Sequence, residues 1–193
     1  MDFDFYKHIE NSKIEDVYKI SLDTFSDERG EIWTIFRNVD WLPSFVEDKI
    51  SISRRNVLRG LHGDDNTWKL ISCLHGEMLL VVADARRHSK TYGLTETFKI
   101  SENSGTLVLV PPGCLNGHLC LSEKCIFWYK WSEKYHGPEK QATVAWDDPD
   151  LKIDWPIDKP ILSKRDRNGS SFKQINLFGG KSEYKLPVSK RND

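Results

Sequence analysis

Gly105-Thr-Leu-Val-Leu-Val-Pro-Pro-Gly113 is the stretch on which the fold class turns. A run of β-branched and leucine residues stops at two prolines and a glycine. Proline cannot donate into a sheet ladder and glycine lets the chain turn, so the run reads as a short strand with a sharp end. Met78-Leu-Leu-Val-Val-Ala83 upstream and Cys125-Ile-Phe-Trp-Tyr-Lys-Trp131 downstream follow the same grammar. Gly60, Gly63, Gly76, Gly93, Gly105, Gly113 and Gly117 punctuate the middle of the chain at short intervals. Strands at that spacing predict a sandwich or barrel rather than alternating β/α units. Helical periodicity is weak, so only short peripheral helices are expected, one around Phe3–Ile9 and one near the C-terminus. From Asn168 the chain turns polar, through Gly179-Gly180 to Lys190-Arg-Asn-Asp193, which predicts a loosely held tail on one domain spanning residues 1–193.

Bulk properties narrow the function. A chain of 193 residues is long enough to bury a real core in one domain. With 28 basic and 29 acidic residues the net charge is −1, so no global field draws it to nucleic acid or anionic lipid. The apolar runs are too short to cross a bilayer as helices, and Met1-Asp-Phe-Asp-Phe5 lacks the basic and apolar regions of a signal peptide. Cys73, Cys114, Cys120 and Cys125 include no C-x-x-C pair and read as buried thiols of a reducing compartment, which predicts a cytoplasmic protein. Seven tryptophans, spread along the chain, can build a core or stack on bases and sugar faces.

The most specific signals are collinear segments. Phe25-Ser-Asp-Glu-Arg-Gly30, Asn56-Val-Leu-Arg-Gly-Leu-His62, Trp68-Lys-Leu70 and Gly76-Glu77 come first. Val82-Ala-Asp-Ala-Arg86, Ser89-x-Thr-Tyr-Gly93, Val110-Pro-Pro-Gly113 and Leu121-Ser-Glu123 follow. Phe127-Trp-Tyr-Lys130, Trp146-Asp-Asp-Pro149, Ile153-Asp-Trp-Pro156 and Pro160-Ile-Leu-Ser163, ending at Asp166, close the series. In order and spacing the chain resembles the dTDP-4-dehydrorhamnose 3,5-epimerase family over roughly residues 20–166. The resemblance implies an all-β cupin double-stranded β-helix, or jelly-roll barrel, and a homodimer built partly by strand exchange. It implies no metal or other cofactor, and a nucleoside-diphosphate-linked 4-keto sugar as substrate.

Such a reaction has definite chemical needs. Inverting a carbon beside a ketone removes a proton from one face and returns one to the other. It requires a base, an acid on the opposite side, and a group that holds the enolate charge between the two steps. The resemblance makes His62 the base and Asp166 the carboxylate that supports it. It makes Tyr129 the opposing acid and Lys69 the cation at the enolate oxygen. Arg59 and Arg29 correspond to arginines that grip the nucleotide end, where a guanidinium can fork onto phosphate oxygens. Tyr135 corresponds to a tyrosine near the sugar. Taken singly, each has a bland reading as a packed core residue, a turn charge or an exposed loop residue.

The chain departs from the family in three places. The family reads Pro-x-Gly-Phe-Ala-His-Gly-Phe where this chain has Gly113-Cys-Leu-Asn-Gly-His118 after its prolines, so Asn116 replaces a histidine that hydrogen-bonds near the reacting carbonyl. An amide still donates but cannot titrate. His118 lies two residues on and is expected to project from the same strand face as Asn116, where it either stands in for the lost histidine in binding substrate or is simply packed. The loop from His62 to Lys69 is short and carries Asp64 and Asp65, whose charge opposes a pyrophosphate unless it is turned away. Glu31-Ile-Trp-Thr34 replaces a phenylalanine-rich stretch beside the nucleobase. The Leu-His-Gly-Asp, Glu-Ile-Trp-Thr and Asn-x-His features resemble the subgroup acting on GDP-linked 4-keto heptoses in capsule and lipopolysaccharide synthesis.

Other readings compete. A sugar-nucleotide 3,4-ketoisomerase would lack the Arg-Gly-Leu-His and Ile-Asp-Trp-Pro segments. A metal cupin needs a His-x-His pair with a later Glu and His, and His75 with Glu77 is the nearest approach. A sugar-nucleotide-binding cupin without catalysis is the non-enzymatic alternative, and it is favoured only where His62 or Tyr129 is missing.

Overall fold

The computed structural model describes Tyr6 and residues 8–179. The strands in chain order are β1 (His8–Asn11), β2 (Tyr18–Ser21), β3 (Phe25–Asp27), β4 (Gly30–Ile32), β5 (Glu47–Arg54), β6 (Leu58–Gly63) and β7 (Lys69–His75). They continue as β8 (Glu77–Asp84), β9 (Thr95–Ser101), β10 (Thr106–Val110), β11 (Cys114–Cys120), β12 (Lys124–Trp131) and β13 (Ala142–Thr143). One helical turn, α1 (Lys164–Arg167), and two 3₁₀ turns at Pro138–Lys140 and Phe172–Gln174 complete the described chain. A six-stranded sheet runs β1-β2-β10-β7-β12-β5, a five-stranded sheet runs β13-β6-β11-β8-β9, and β3 and β4 form a separate hairpin. All ladders between these strands are antiparallel. The two large sheets face each other in the all-β, jelly-roll arrangement of a cupin.

Three layers of apolar side chains explain the strand sequences. Between the sheets, Ile71, Val108, Val110 and Phe127 from one meet Met78, Leu80, Val82 and Ile100 from the other. Outside the six-stranded sheet, Leu107, Leu109 and Trp128 are covered by Tyr6, Val39 and Leu42. Outside the five-stranded sheet, Val81, Ala83, Leu115 and Leu119 are covered by Val144, Leu151, Trp155, Phe172 and Leu177. Strands β8 and β10 therefore bury both faces, which is why each reads as an unbroken apolar run rather than an alternating one.

The periphery differs from expectation at both ends. Of the helix expected over Phe3–Ile9, residues 8 and 9 belong to β1, which pairs His8 with Ser21 and Ile9 with Ile20; residues 3–5 and 7 lie outside the described residues. A β-branched residue that packs against the outer apolar layer gains more as a strand than the weak local helical pattern offers. The polar stretch from Asn168 is not loose over 168–179. Phe172 and Leu177 are buried in the outer layer, and the amides of Phe178 and Gly179 donate to Asp65 Oδ1 at 2.7 and 2.8 Å. Two well-placed apolar residues outweigh the polarity of their neighbours. Residues 180–193 lie outside the described residues. Among the described residues, no helix is long and apolar enough to cross a membrane.

Candidate active site

A cavity of about 320 Å³ opens between the sheets. Strand β6 brings His62, β7 brings Lys69, β11 brings Asn116 and His118, and β12 brings Tyr129; Asp166 enters from α1. Close approach of β6 to β11 makes this convergence fit. A Cβ on Gly60, whose φ is +126°, would stand 2.5 Å from the Cα of Gly117. The glycines of Arg59-Gly-Leu-His62 and Asn116-Gly-His118 thus let two functional strands touch backbone to backbone.

His62 Nε2 lies 2.6 Å from Asp166 Oδ1. Asp166 is buried, and its second oxygen accepts a 2.7 Å hydrogen bond from Ser163 Oγ. Ser163 is also the N-cap of α1, accepting from the Asp166 amide at 3.1 Å, so one side chain fixes both the turn and the carboxylate. Burial pushes the Asp166 carboxyl up, but the hydrogen bonds from His62 and Ser163 outweigh it and hold the group below its ordinary value. Burial lowers the His62 pKa, with the Asp166 bond opposing incompletely, so the imidazole is neutral at pH 7. With Nε2–H committed to Asp166, the lone pair resides on Nδ1.

Lys69 is buried and donates from Nζ to Asn116 Oδ1 at 2.8 Å and to the His62 carbonyl at 3.4 Å. Burial lowers its pKa to about 8, partly offset by the charge of Asp64. Tyr129 is pushed up to about 12 by burial, so it holds its proton at neutral pH. Its ring sits in an aromatic row, 4.6 Å from Phe127 and 5.6 Å from Trp131. The arrangement offers a neutral base backed by a carboxylate, an ammonium and a phenol around one space. Those are the parts needed to make, hold and reprotonate an enolate.

Eight of the ten residues singled out in the sequence line this cavity, Asp166 from its helical turn among them. The others are His62, Lys69, Tyr129, Arg59, Asn116, His118 and Tyr135. Arg59 is held by Ser53 Oγ at 3.1 Å, and the Tyr135 ring meets Trp131 edge-on at 5.4 Å. Asn116 and His118 face the same space, as their two-residue spacing predicts. Arg29 and Glu31 do not. They stand on the β3–β4 hairpin, exposed, with the Arg29 guanidinium bound to Asp27 and Glu31 near Ser26. A three-residue strand pair outside both sheets cannot carry its side chains back into this chain's own cavity.

The carboxylates of the acidic loop are turned to protein donors, the condition under which their charge does not oppose a pyrophosphate. Asp64 Oδ1 accepts from the amides of Thr67 and Asn66 at 2.8 and 3.1 Å, and Oδ2 accepts from Gln141 at 3.2 Å. Asp65 caps the amides of Phe178 and Gly179, so both carboxylates are spent on local donors. His75 and Glu77 also part company. His75 pairs with Glu102 at 2.7 Å and Glu77 with Lys99 at 3.1 Å.

Lys49, Ser51, Phe127, Trp131, Gln141, Ser163 and Arg165 line the cavity without having been singled out. Lys49 Nζ lies 3.4 Å from the centroid of the Tyr135 ring. The available signal is period two. Phe127, Tyr129 and Trp131 alternate with Trp128 and Lys130, and their β5 partners are Ser51, Lys49 and Glu47. Pairing β5 with β12 in that register required the fold.

The comparisons agree with this geometry. A family model described as dTDP-4-dehydrorhamnose 3,5-epimerase matches residues 11–174. The dTDP-4-dehydrorhamnose 3,5-epimerase of Methanothermobacter thermautotrophicus is 36% identical over 169 residues, covering 82% of this chain and 91% of its own. The crystal structure of the enzyme of that name from Elizabethkingia anophelis superposes with a TM-score of 0.81 at 34% identity, covering 88% of this chain and 98% of its own. A dTDP-6-deoxy-D-glucose-3,5-epimerase from Legionella pneumophila, solved in complex with dTDP-4-keto-L-rhamnose, gives 0.81 at 31% identity, covering 88% and 94%. With its fold, its cavity and its sequence in agreement, the chain belongs to the dTDP-4-dehydrorhamnose 3,5-epimerase family.

Proposed function

We propose that the protein epimerises a nucleoside-diphosphate-linked 4-keto sugar at C3, C5 or both, through an enolate. The observation that carries this is the 2.6 Å contact of His62 with buried Asp166 in the cavity that also holds Lys69 and Tyr129. Neutral His62 removes the proton beside the ketone, and Asp166 stabilises the imidazolium that forms. The Lys69 ammonium meets the charge that develops on the ketone oxygen, where a desolvated cation is worth more than in water. Asn116 positions that ammonium by accepting from it. Tyr129, still protonated at neutral pH, returns a proton from the other side. Arg59 meets the diphosphate.

The same site chemistry serves either carbon. The features at Leu61-His-Gly-Asp64, Glu31-Ile-Trp-Thr34 and Asn116-x-His118 favour a GDP-linked 4-keto heptose over a dTDP-linked 6-deoxy sugar, in the building of a surface polysaccharide in the cytoplasm. A homodimer completes the reading. Phe25, Ile32, Ile50 and Ile52 are 70%, 72%, 61% and 60% exposed, the last two on edge strand β5. Such apolar exposure on a hairpin and a sheet edge suits a second copy, and it gives Arg29 and Glu31 a route to substrate through the neighbour's cavity.

The test is proton NMR of GDP- and dTDP-linked 4-keto sugars incubated with the protein in D₂O. Deuterium entering C3 or C5 is the expected result, and its position and the preferred nucleotide define the reaction. A folded protein that binds these sugars but exchanges no proton would leave only the binding-protein reading.

A further inference from the structure

Among the described residues, four buried side-chain polar atoms lack a hydrogen-bond partner: Ser51 Oγ, His118 Nε2, Trp131 Nε1 and an Arg165 guanidinium nitrogen. All four residues line the active-site cavity. Orphan polar atoms scattered through a core would read as packing costs; confined to residues around one cavity, they read as contacts awaiting a ligand. His118 is the most telling. The residue is 3% exposed, and its ring stacks on Phe127 at 4.2 Å between centroids and 9° between planes. Burial, with the charge of Arg59 adding to it, lowers its pKa to about 3, so it stays uncharged at neutral pH. A neutral imidazole offers one donor and one acceptor, which suits a hydroxyl better than a phosphate.

We propose that His118 is a specificity-determining residue, a rigid, uncharged hydrogen-bonding wall that recognises a hydroxyl of the bound sugar. The proposal rests on the epimerase reading of the cavity but not on its chemistry step. Phe127 fixes the plane of the ring, so the hydrogen-bonding edge is pre-organised and the substrate hydroxyl satisfies a group already desolvated. A sugar lacking that hydroxyl leaves the nitrogen unpaired and is disfavoured, which is how a buried polar group discriminates against apolar analogues.

The experiment is calorimetric binding of the 4-keto sugar nucleotide, and of its bare nucleoside diphosphate, to the wild type and to His118→Phe. Phenylalanine keeps the flat ring against Phe127 and deletes the ring nitrogens. The expected result is at least about tenfold weaker binding of the sugar nucleotide, unchanged binding of the nucleoside diphosphate, and a melting temperature equal to or above that of the wild type. His118→Gln, which restores a donor and acceptor, recovers part of the loss. Equal affinity of His118→Phe and wild type for the sugar nucleotide overturns the proposal, as does an equal loss for both ligands. Should His118→Phe fail to fold, His118→Leu takes its place in the same comparison. Solvent exchange by the wild type, measured alongside, separates the two readings. Binding without exchange sinks the catalytic reading while His118 is still judged on affinity; a wild type that binds no sugar nucleotide sinks both.

Discussion

His62 and Asp166 lie 104 residues apart in sequence and 2.6 Å apart in the fold. On the proposed mechanism, burial of His62 and of Lys69 sets the pH response, with the Asp166 contact opposing the first shift. His62 must be neutral to accept a proton, and burial holds its pKa below 6.5, so activity falls as pH drops through that lower value. Lys69 must be charged to hold the enolate, and burial brings it to about 8, so activity falls again as pH rises through that region. A bell-shaped kcat/KM profile with its acid limb below 6.5 and its alkaline limb near 8 is expected. Asp166→Asn should move the acid limb further down and cut kcat by about 10²-fold or more, because the imidazolium loses its carboxylate. Titrating kcat/KM of both proteins from pH 5 to 9 checks this; an acid limb unmoved by the substitution separates Asp166 from the base. At this scale the sequence was readable where a motif marked a residue that the fold brings to the cavity, as at His62, Lys69 and Tyr129. It was unreadable where a residue serves by register, as Lys49 and Trp131 do. Arg29 and Glu31 show the opposite limit, since a motif match says nothing about whose cavity a hairpin serves.

The strands carry the site because two of them touch. Gly60 on β6 and Gly117 on β11 have no room for a methyl group, and Gly60 also has a positive φ. Gly60→Ala should cost about 2–4 kcal/mol of stability and displace His62, measured as a lowered urea midpoint with an unchanged slope. A fully stable, fully active variant would mean that the close approach is dispensable. The C-terminal segment makes a matching case. Phe172→Ala should cost about 3–5 kcal/mol, since it empties a buried site over the five-stranded sheet; a loose tail would lose nothing. The sequence suggested such a loose tail because polar residues surround Phe172 and Leu177. It suggested an N-terminal helix because β1 pairs with β2 further along the chain, His8 with Ser21 and Asn11 with Tyr18, which local pattern does not show. By contrast β8 and β10 announced themselves, since strands buried on both faces have no polar alternation to dilute the signal.

At the scale of the molecule, two facing sheets enclose a cavity and leave one hairpin and one sheet edge with exposed apolar residues. If a second copy covers them, Ile52→Lys should shift the protein from dimer to monomer in light scattering and reduce kcat/KM by an order of magnitude or more, with the fold intact by circular dichroism. A monomeric wild type with full activity would remove the dimer, and with it any role for Arg29 and Glu31. Strand punctuation made a β-rich sandwich or barrel legible, because turn residues at close intervals break the chain into short strands; the jelly roll itself followed only from the family-like segments. The assembly was not legible, because exposed isoleucines on an edge strand look in sequence like any half-buried strand.

The claim on which the rest depends is that His62 removes the proton beside the ketone and Tyr129 returns one from the other face. The direct measurement is deuterium incorporation at C3 and C5 in D₂O for wild type, His62→Ala and Tyr129→Phe, followed together with product stereochemistry. The account predicts exchange and inversion in the wild type, loss of both in His62→Ala, and exchange without inversion in Tyr129→Phe. Exchange at the wild-type rate in His62→Ala would contradict it.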